Sequence, residues 1–124
     1  MLNKELAKQE KIFDFIQREA KIQESLDHEN ILKCYGSFED ETRFYLILEY
    51  VLDGDLYSTL KKQPNKRFLE EKASQIIFQL LNAISYLKER SILHRDIKAE
   101  NIMNSMVNFM RKNIKMFHFY LGCL

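Results

Sequence analysis

Eight consecutive residues carry most of the chemistry open to this sequence. Residues 94–101 read His-Arg-Asp-Ile-Lys-Ala-Glu-Asn, and three of them are of types that cooperate when an anionic group moves onto a hydroxyl. The carboxylate of Asp96 can accept a hydroxyl proton and orient the oxygen for attack. Two residues on, the ammonium of Lys98 can offset charge on the group in transit. Five residues after Asp96, Asn101 offers a side-chain carbonyl oxygen, the hard donor that Mg²⁺ takes. The competing reading is a polar loop that holds these residues by coincidence. With average residue usage, a chance match of five specified residues in so short a chain has odds on the order of one in ten thousand.

Such a loop needs elements to position it. Residues 69–90 form the clearest helical pattern, with Ala73, Ile76, Ile77, Leu80, Leu81, Ile84 and Leu87 in one wide apolar stripe. Glu70 and Glu71 at its start and Lys88 and Arg90 at its end suit the helix dipole. Residues 4–26 read as a second amphipathic helix, with Leu6, Phe13, Ile16, Ala20 and Ile22 on one face and Asn3 as its N-cap. Between the helices, residues 31–38 and 44–51 read as two strands of a hairpin joined by the charged turn 39–43. The second strand is almost continuously apolar, which predicts cover on both faces. Asp53-Gly54-Asp55 ends it and can cap a short helix over 56–62, and residues 63–66 form a loop. After Ser91 the periodicity stops, and Ile92-Leu93, Ile102-Met103 and residues 114–117 are candidate short strands.

Composition narrows the class of function. With 124 residues, 46% hydrophobic, 30% charged and a single proline, the sequence suits one globular domain. The 19 basic and 18 acidic residues nearly cancel, so nothing here recommends nucleic acid or an anionic membrane as a partner. Cys34 and Cys123 lack metal-ligand spacing, which suits a reducing compartment. The opening residues do not resemble a signal peptide, and no stretch approaches the ~18 uncharged apolar residues of a membrane span. An intracellular setting, cytoplasmic or nuclear, is the expectation.

The segment His94 to Asn101 resembles the catalytic loop of protein kinases, with Ile97 in the usual leucine place. The rest of the chain then falls into kinase order, and Lys98 gives the loop a serine/threonine flavour. The resemblance implies an α+β, two-lobed fold, with residues 1–49 a remnant of the small lobe and 50–124 the start of the large one. The first helix is similar to the family's regulatory helix, and its Glu19 falls where the paired glutamate lies. Residues 44–51 resemble the hinge strand, which makes Leu48 the gatekeeper and Glu49 and Val51 the backbone contacts to adenine. Asp55 falls where an acidic residue can meet the ribose. By the same resemblance, ATP and Mg²⁺ are the cofactors, and Asp96 orients a protein serine or threonine hydroxyl. Lys98 steadies the phosphoryl group, Asn101 holds the metal, and His94 and Arg95 have structural and regulatory roles. The phrasing of residues 19–52 is most similar to Aurora-type kinases.

The resemblance also implies parts that these residues do not supply. Residue 1 falls where the family's third strand ends, so the glycine-rich lid and the phosphate-binding lysine would precede it, and Glu19 is expected to have no partner. The other magnesium ligand should stand in an Asp-Phe-Gly near the end, where His118-Phe119-Tyr120 is the nearest match and histidine is a poor magnesium ligand. The 124 residues alone are therefore expected to be inactive. The rival reading is a non-catalytic, pseudokinase-like module that binds another protein through an exposed sheet edge or helix.

Overall fold

The computed structural model describes residues 2–3, 10–107 and 111–116, with side chains over 12–104 and at 115. Its elements are β1 (Leu2–Asn3), α1 (Glu10–Ser25), β2 (Cys34–Glu39), β3 (Arg43–Leu48), α2 (Leu56–Lys61), α3 (Glu70–Glu89), β4 (Ile102–Val107) and β5 (Arg111–Met116). Short 3-10 turns stand at Pro64–Lys66 and Ala99–Asn101. The chain divides into two compact units that exchange at residues 27/28, 32/33 and 49/50.

The first unit is an antiparallel sheet in the order β1-β3-β2, with α1 on one face. Ile16 and Ala20, four apart on α1, bury against Phe44 of β3, and Ile12 and Leu46 close the cluster. Ser37 Oγ donates to Glu24 Oε1 at 2.5 Å and ties β2 to the helix. Because strand side chains alternate, Tyr45 and Ile47, which alternate with Phe44 and Leu46, must point away from α1. Phe38 and Tyr45, directly opposite in the register, stack on that outer face with centroids 4.7 Å apart, and Ile47 beside them is 48% exposed. Cover on both faces was expected from the apolar run, and the structure covers one. The β1 strand corrects a second expectation. Asn3, expected at the start of a helix, lies in a strand and pairs with Arg43, and Leu2 pairs with Phe44. The helix is described from Glu10, and residues 4–9 lie outside the described residues.

The hairpin turn is organised by one carboxylate. Asp40 Oδ1 accepts from the backbone N–H groups of Thr42 and Arg43, both at 2.7 Å, and from Thr42 Oγ1 at 3.1 Å. Its Oδ2 accepts from the Tyr45 hydroxyl at 2.7 Å. The Tyr45 bond, followed by the Thr42 N–H, lowers the Asp40 pKa to about 2, and the same bond raises that of Tyr45.

The second unit is built on α2, α3 and the β4–β5 hairpin. Gly54, at φ 69°, makes the turn that precedes α2, a conformation that a side chain resists. Leu56 of α2, Ile76 of α3 and Ile102 of β4 form its core, with Phe68, Leu80 and Ala99 against them. Only part of the predicted stripe on α3 is buried: Ile76 and Leu87 face inward, joined by Ala83 from outside the stripe, whereas Ile77 and Leu81 are 52% and 57% exposed. The 3.6-residue period found the helix but made its apolar face wider than the core it packs on. Asn30 Nδ2 donates to Gln79 Oε1 at 3.1 Å, and the His28 and Tyr86 rings meet at 5.0 Å. His28 Nδ1 also accepts from the Asn30 N–H at 3.0 Å and so shapes the turn before β2. Ile92-Leu93 is not a strand, while the strands expected at 102–103 and 114–117 fall in the longer β4–β5 hairpin as far as Met116, residue 117 lying outside the described residues.

Candidate functional site

The loop that carries Asp96 is set by the end of α3. Ser91 at φ 57° ends the helix, and the Ile92 N–H returns to the Leu87 carbonyl at 3.0 Å. His94 then turns inward, 6% exposed, and its Nδ1 accepts from the Asp96 N–H at 3.1 Å. That acceptor fixes the direction of the peptide leading into Asp96. Arg95 between them adopts φ 70° and is exposed, so the reversal is concentrated at one residue.

Three residues singled out in the sequence meet at one carboxylate. Asn101 Nδ2 donates to Asp96 Oδ2 at 3.0 Å and to the Asp96 backbone carbonyl at 2.9 Å. Lys98 Nζ stands 3.4 Å from the same Oδ2. The 3-10 turn Ala99–Asn101 makes this geometry local, because the Asn101 N–H bonds to the Lys98 carbonyl at 3.0 Å. Ile102, next along, anchors the arrangement in the core. Both side-chain contacts fall on Oδ2. This is a carboxylate with an ammonium at its side and an amide nitrogen bonded to it.

Leu48 and Glu49 lie in the first unit, and Val51 and Asp55 in the second. Leu48 ends β3 opposite Cys34 and is half-buried. The Glu49 N–H donates to the Lys33 carbonyl at 2.8 Å, and its side chain returns to accept from the Lys33 N–H at 3.1 Å. A base contact from the Glu49 backbone would therefore come from its carbonyl. Asp55 is the N-cap of α2: Oδ1 accepts from the Ser58 N–H at 2.7 Å and Oδ2 from the Ser58 hydroxyl at 2.9 Å. The Ser58 N–H, followed by the Ser58 hydroxyl, lowers the Asp55 pKa. Each oxygen keeps lone-pair capacity, so capping does not bar a further donor such as a sugar hydroxyl.

A model of the protein kinase domain matches residues 1–123. The chain belongs to the protein kinase family. It is 51% identical over 102 residues to an Aurora kinase of Schizosaccharomyces pombe, covering 82% of this chain and 28% of that protein. Against the Aurora kinase of Yarrowia lipolytica it is 51% identical over 86 residues, 69% of this chain and 23% of the relative. Mouse Aurora kinase C is 42% identical over 88 residues, 71% of this chain and 31% of the relative. The chain thus spans about a quarter of the length of these curated relatives. The Aurora likeness agrees with the serine/threonine reading of Lys98.

Kinases of this family use ATP and Mg²⁺, and the donor set at Asn101 fits the metal in part. With its amide nitrogen on Asp96, Asn101 has a hard oxygen to offer. No group of three or more His, Cys, Asp or Glu that could hold a metal ion stands among the described residues. His118 lies outside the described residues. Glu19, expected to be without a partner, is half-buried and engaged within the chain. No helix among the described residues is long and apolar enough to cross a membrane.

Two residues near the loop escaped the sequence reading. Asn104 Nδ2 donates to Thr59 Oγ1 at 2.8 Å, across 45 positions of sequence. Neither belongs to a motif, and a polar residue in a strand usually signals a solvent-facing position.

Proposed function

We propose that these residues carry part of the phosphotransfer centre of a serine/threonine protein kinase acting on a protein hydroxyl. The observation that supports it most is the convergence of Asn101 and Lys98 on the Asp96 carboxylate. In this reading Asp96 Oδ1 takes the hydroxyl proton as the oxygen attacks, while Oδ2 is held by its neighbours. Lys98 lies beside the transferring phosphoryl group and offsets its charge. Asn101 Oδ1 would hold Mg²⁺, which when bound would neutralise phosphate charge. The carbonyl of Glu49 and the N–H of Val51 receive adenine beside Leu48, and Asp55 receives the ribose. Residues 1–49 belong to the small lobe, with Glu19 on its regulatory helix, and residues 50–124 open the large lobe. His94 and Arg95 shape the loop, and Arg95, exposed, is available to an anionic partner. ATP and a protein substrate place the protein inside the cell.

The test is transfer of labelled γ-phosphate from Mg-ATP to a serine-bearing protein such as casein. It is run on the 124-residue chain and on the longest product of its gene. Transfer that disappears with Asp96→Asn supports the proposal. Transfer unaffected by that change refutes the role of Asp96. A partner bound equally well by wild type and Asp96→Asn, with no transfer by either, favours the interaction module.

A further inference from the structure

The stretch from Gly54 to Thr59 is joined to the strand that leaves Asn101 by two bonds and braced internally by two more. The Asn104 N–H donates to the Gly54 carbonyl at 2.9 Å. Its side-chain Nδ2 donates to Thr59 Oγ1 at 2.8 Å. Thr59 Oγ1 in turn donates to the Asp55 carbonyl at 3.1 Å, alongside the Thr59 N–H at 3.3 Å. Asp55 and Met103 also form an antiparallel bridge. One asparagine therefore grips both ends of a six-residue segment that contains the Asp55 cap.

We infer that Asn104 and Thr59 are positioning residues that lock Asp55 and Asn101 into one block. The argument is one of leverage. Asn104 stands on β4, three residues after Asn101 in the turn that leads into the strand, and Met103 between them bridges to Asp55. Core packing of Leu56 against Ile102 holds the two elements together but does not set their register, since apolar contact is non-directional. Directional bonds do set it. Thr59 Oγ1 accepts from Asn104 while donating to the Asp55 carbonyl, and this relay connects the strand to the helix start. Neither side chain touches a reacting atom; each acts through Asp55 and Asn101.

The inference rests on the nucleotide-binding reading only in what the block is for, and the experiment separates the two. Thr59→Val removes the hydroxyl at constant shape, Thr59→Ser restores it, and Asn104→Leu removes the other partner. Amide hydrogen exchange is measured on the 124-residue chain, with interior α3 amides as the folding control. We expect the Asn104 amide, and with it the Asn101 amide, to exchange about three- to tenfold faster in Thr59→Val and Asn104→Leu, from the usual worth of one neutral hydrogen bond. Thr59→Ser should match wild type and the α3 amides should not change. Unchanged Asn101 and Asn104 amides in both variants overturn the inference, as does Thr59→Ser behaving like Thr59→Val. Calorimetric binding of Mg²⁺ with a non-hydrolysable ATP analogue is the second arm. If wild type binds, both variants should bind about three- to tenfold more weakly. Equal affinity overturns the inference. If wild type does not bind while the exchange pattern holds, the nucleotide reading fails for this chain and the positioning role stands.

Discussion

The Asp96–Asn101 contact should be measurable as a coupling energy. Asn101→Ala removes two hydrogen bonds, one to a carboxylate oxygen at 3.0 Å and one to a carbonyl at 2.9 Å. Only the first depends on the Asp96 side chain, so a cycle of Asn101→Ala with Asp96→Ala isolates it. A bond to a charged group is worth about 1.5–3 kcal/mol, and the partial exposure of Asp96, 31%, brings the expectation to about 1–2 kcal/mol. Lys98 provides the internal contrast. At 3.4 Å and with its side chain 51% exposed, its cycle with Asp96→Ala should give no more than about 0.5 kcal/mol. The assay is urea unfolding followed by circular dichroism, repeated at about 1 M salt, where the Debye length shrinks to about 3 Å. The Lys98 coupling should vanish there and the Asn101 coupling should persist. An Asn101 coupling below about 0.3 kcal/mol, within the range of simple additivity, would refute the claim that this amide holds the base.

Two further outcomes follow from the packing and the hairpin. Ile76→Ala, in the core of the second unit, should cost about 2–5 kcal/mol, whereas Ile77→Ala on the open face of the same helix should stay within about 0.5 kcal/mol. Equal costs in chemical denaturation would mean that Ile77 is covered in solution. Asp40 has its folded pKa lowered to about 2 from 3.8, so its contribution is complete above pH 3.8 and fades as pH falls towards 2. Melting temperatures recorded between pH 5 and 2 should therefore drop less steeply in Asp40→Asn than in wild type. Parallel curves would contradict the hairpin cap.

How much of this was legible in the sequence varied with the range of the interaction. The catalytic-loop motif was fully visible, because its residues lie within eight positions and a short 3-10 turn is enough to bring Asn101 onto Asp96. The helices over Glu10–Ser25 and Glu70–Glu89 and the β2–β3 hairpin were visible for a similar reason: periodicity and turn chemistry are local. Asp55 announced its cap by type and place.

What the sequence left open was which side of each element is covered. The run from Phe44 to Val51 is apolar on both faces, and only the docking of α1 through Ile16 and Ala20 decides that Phe44 is inside and Ile47 outside. The α3 stripe likewise includes Ile77 and Leu81, but the cluster with Leu56 and Ile102 selects Ile76. Asn3 was of a type that caps helices, and it pairs with Arg43 instead because a strand partner was in reach. The Asn104–Thr59 bond was beyond any local pattern. A hydrogen bond between residues 45 positions apart exists only once the tertiary fold has closed the chain between them.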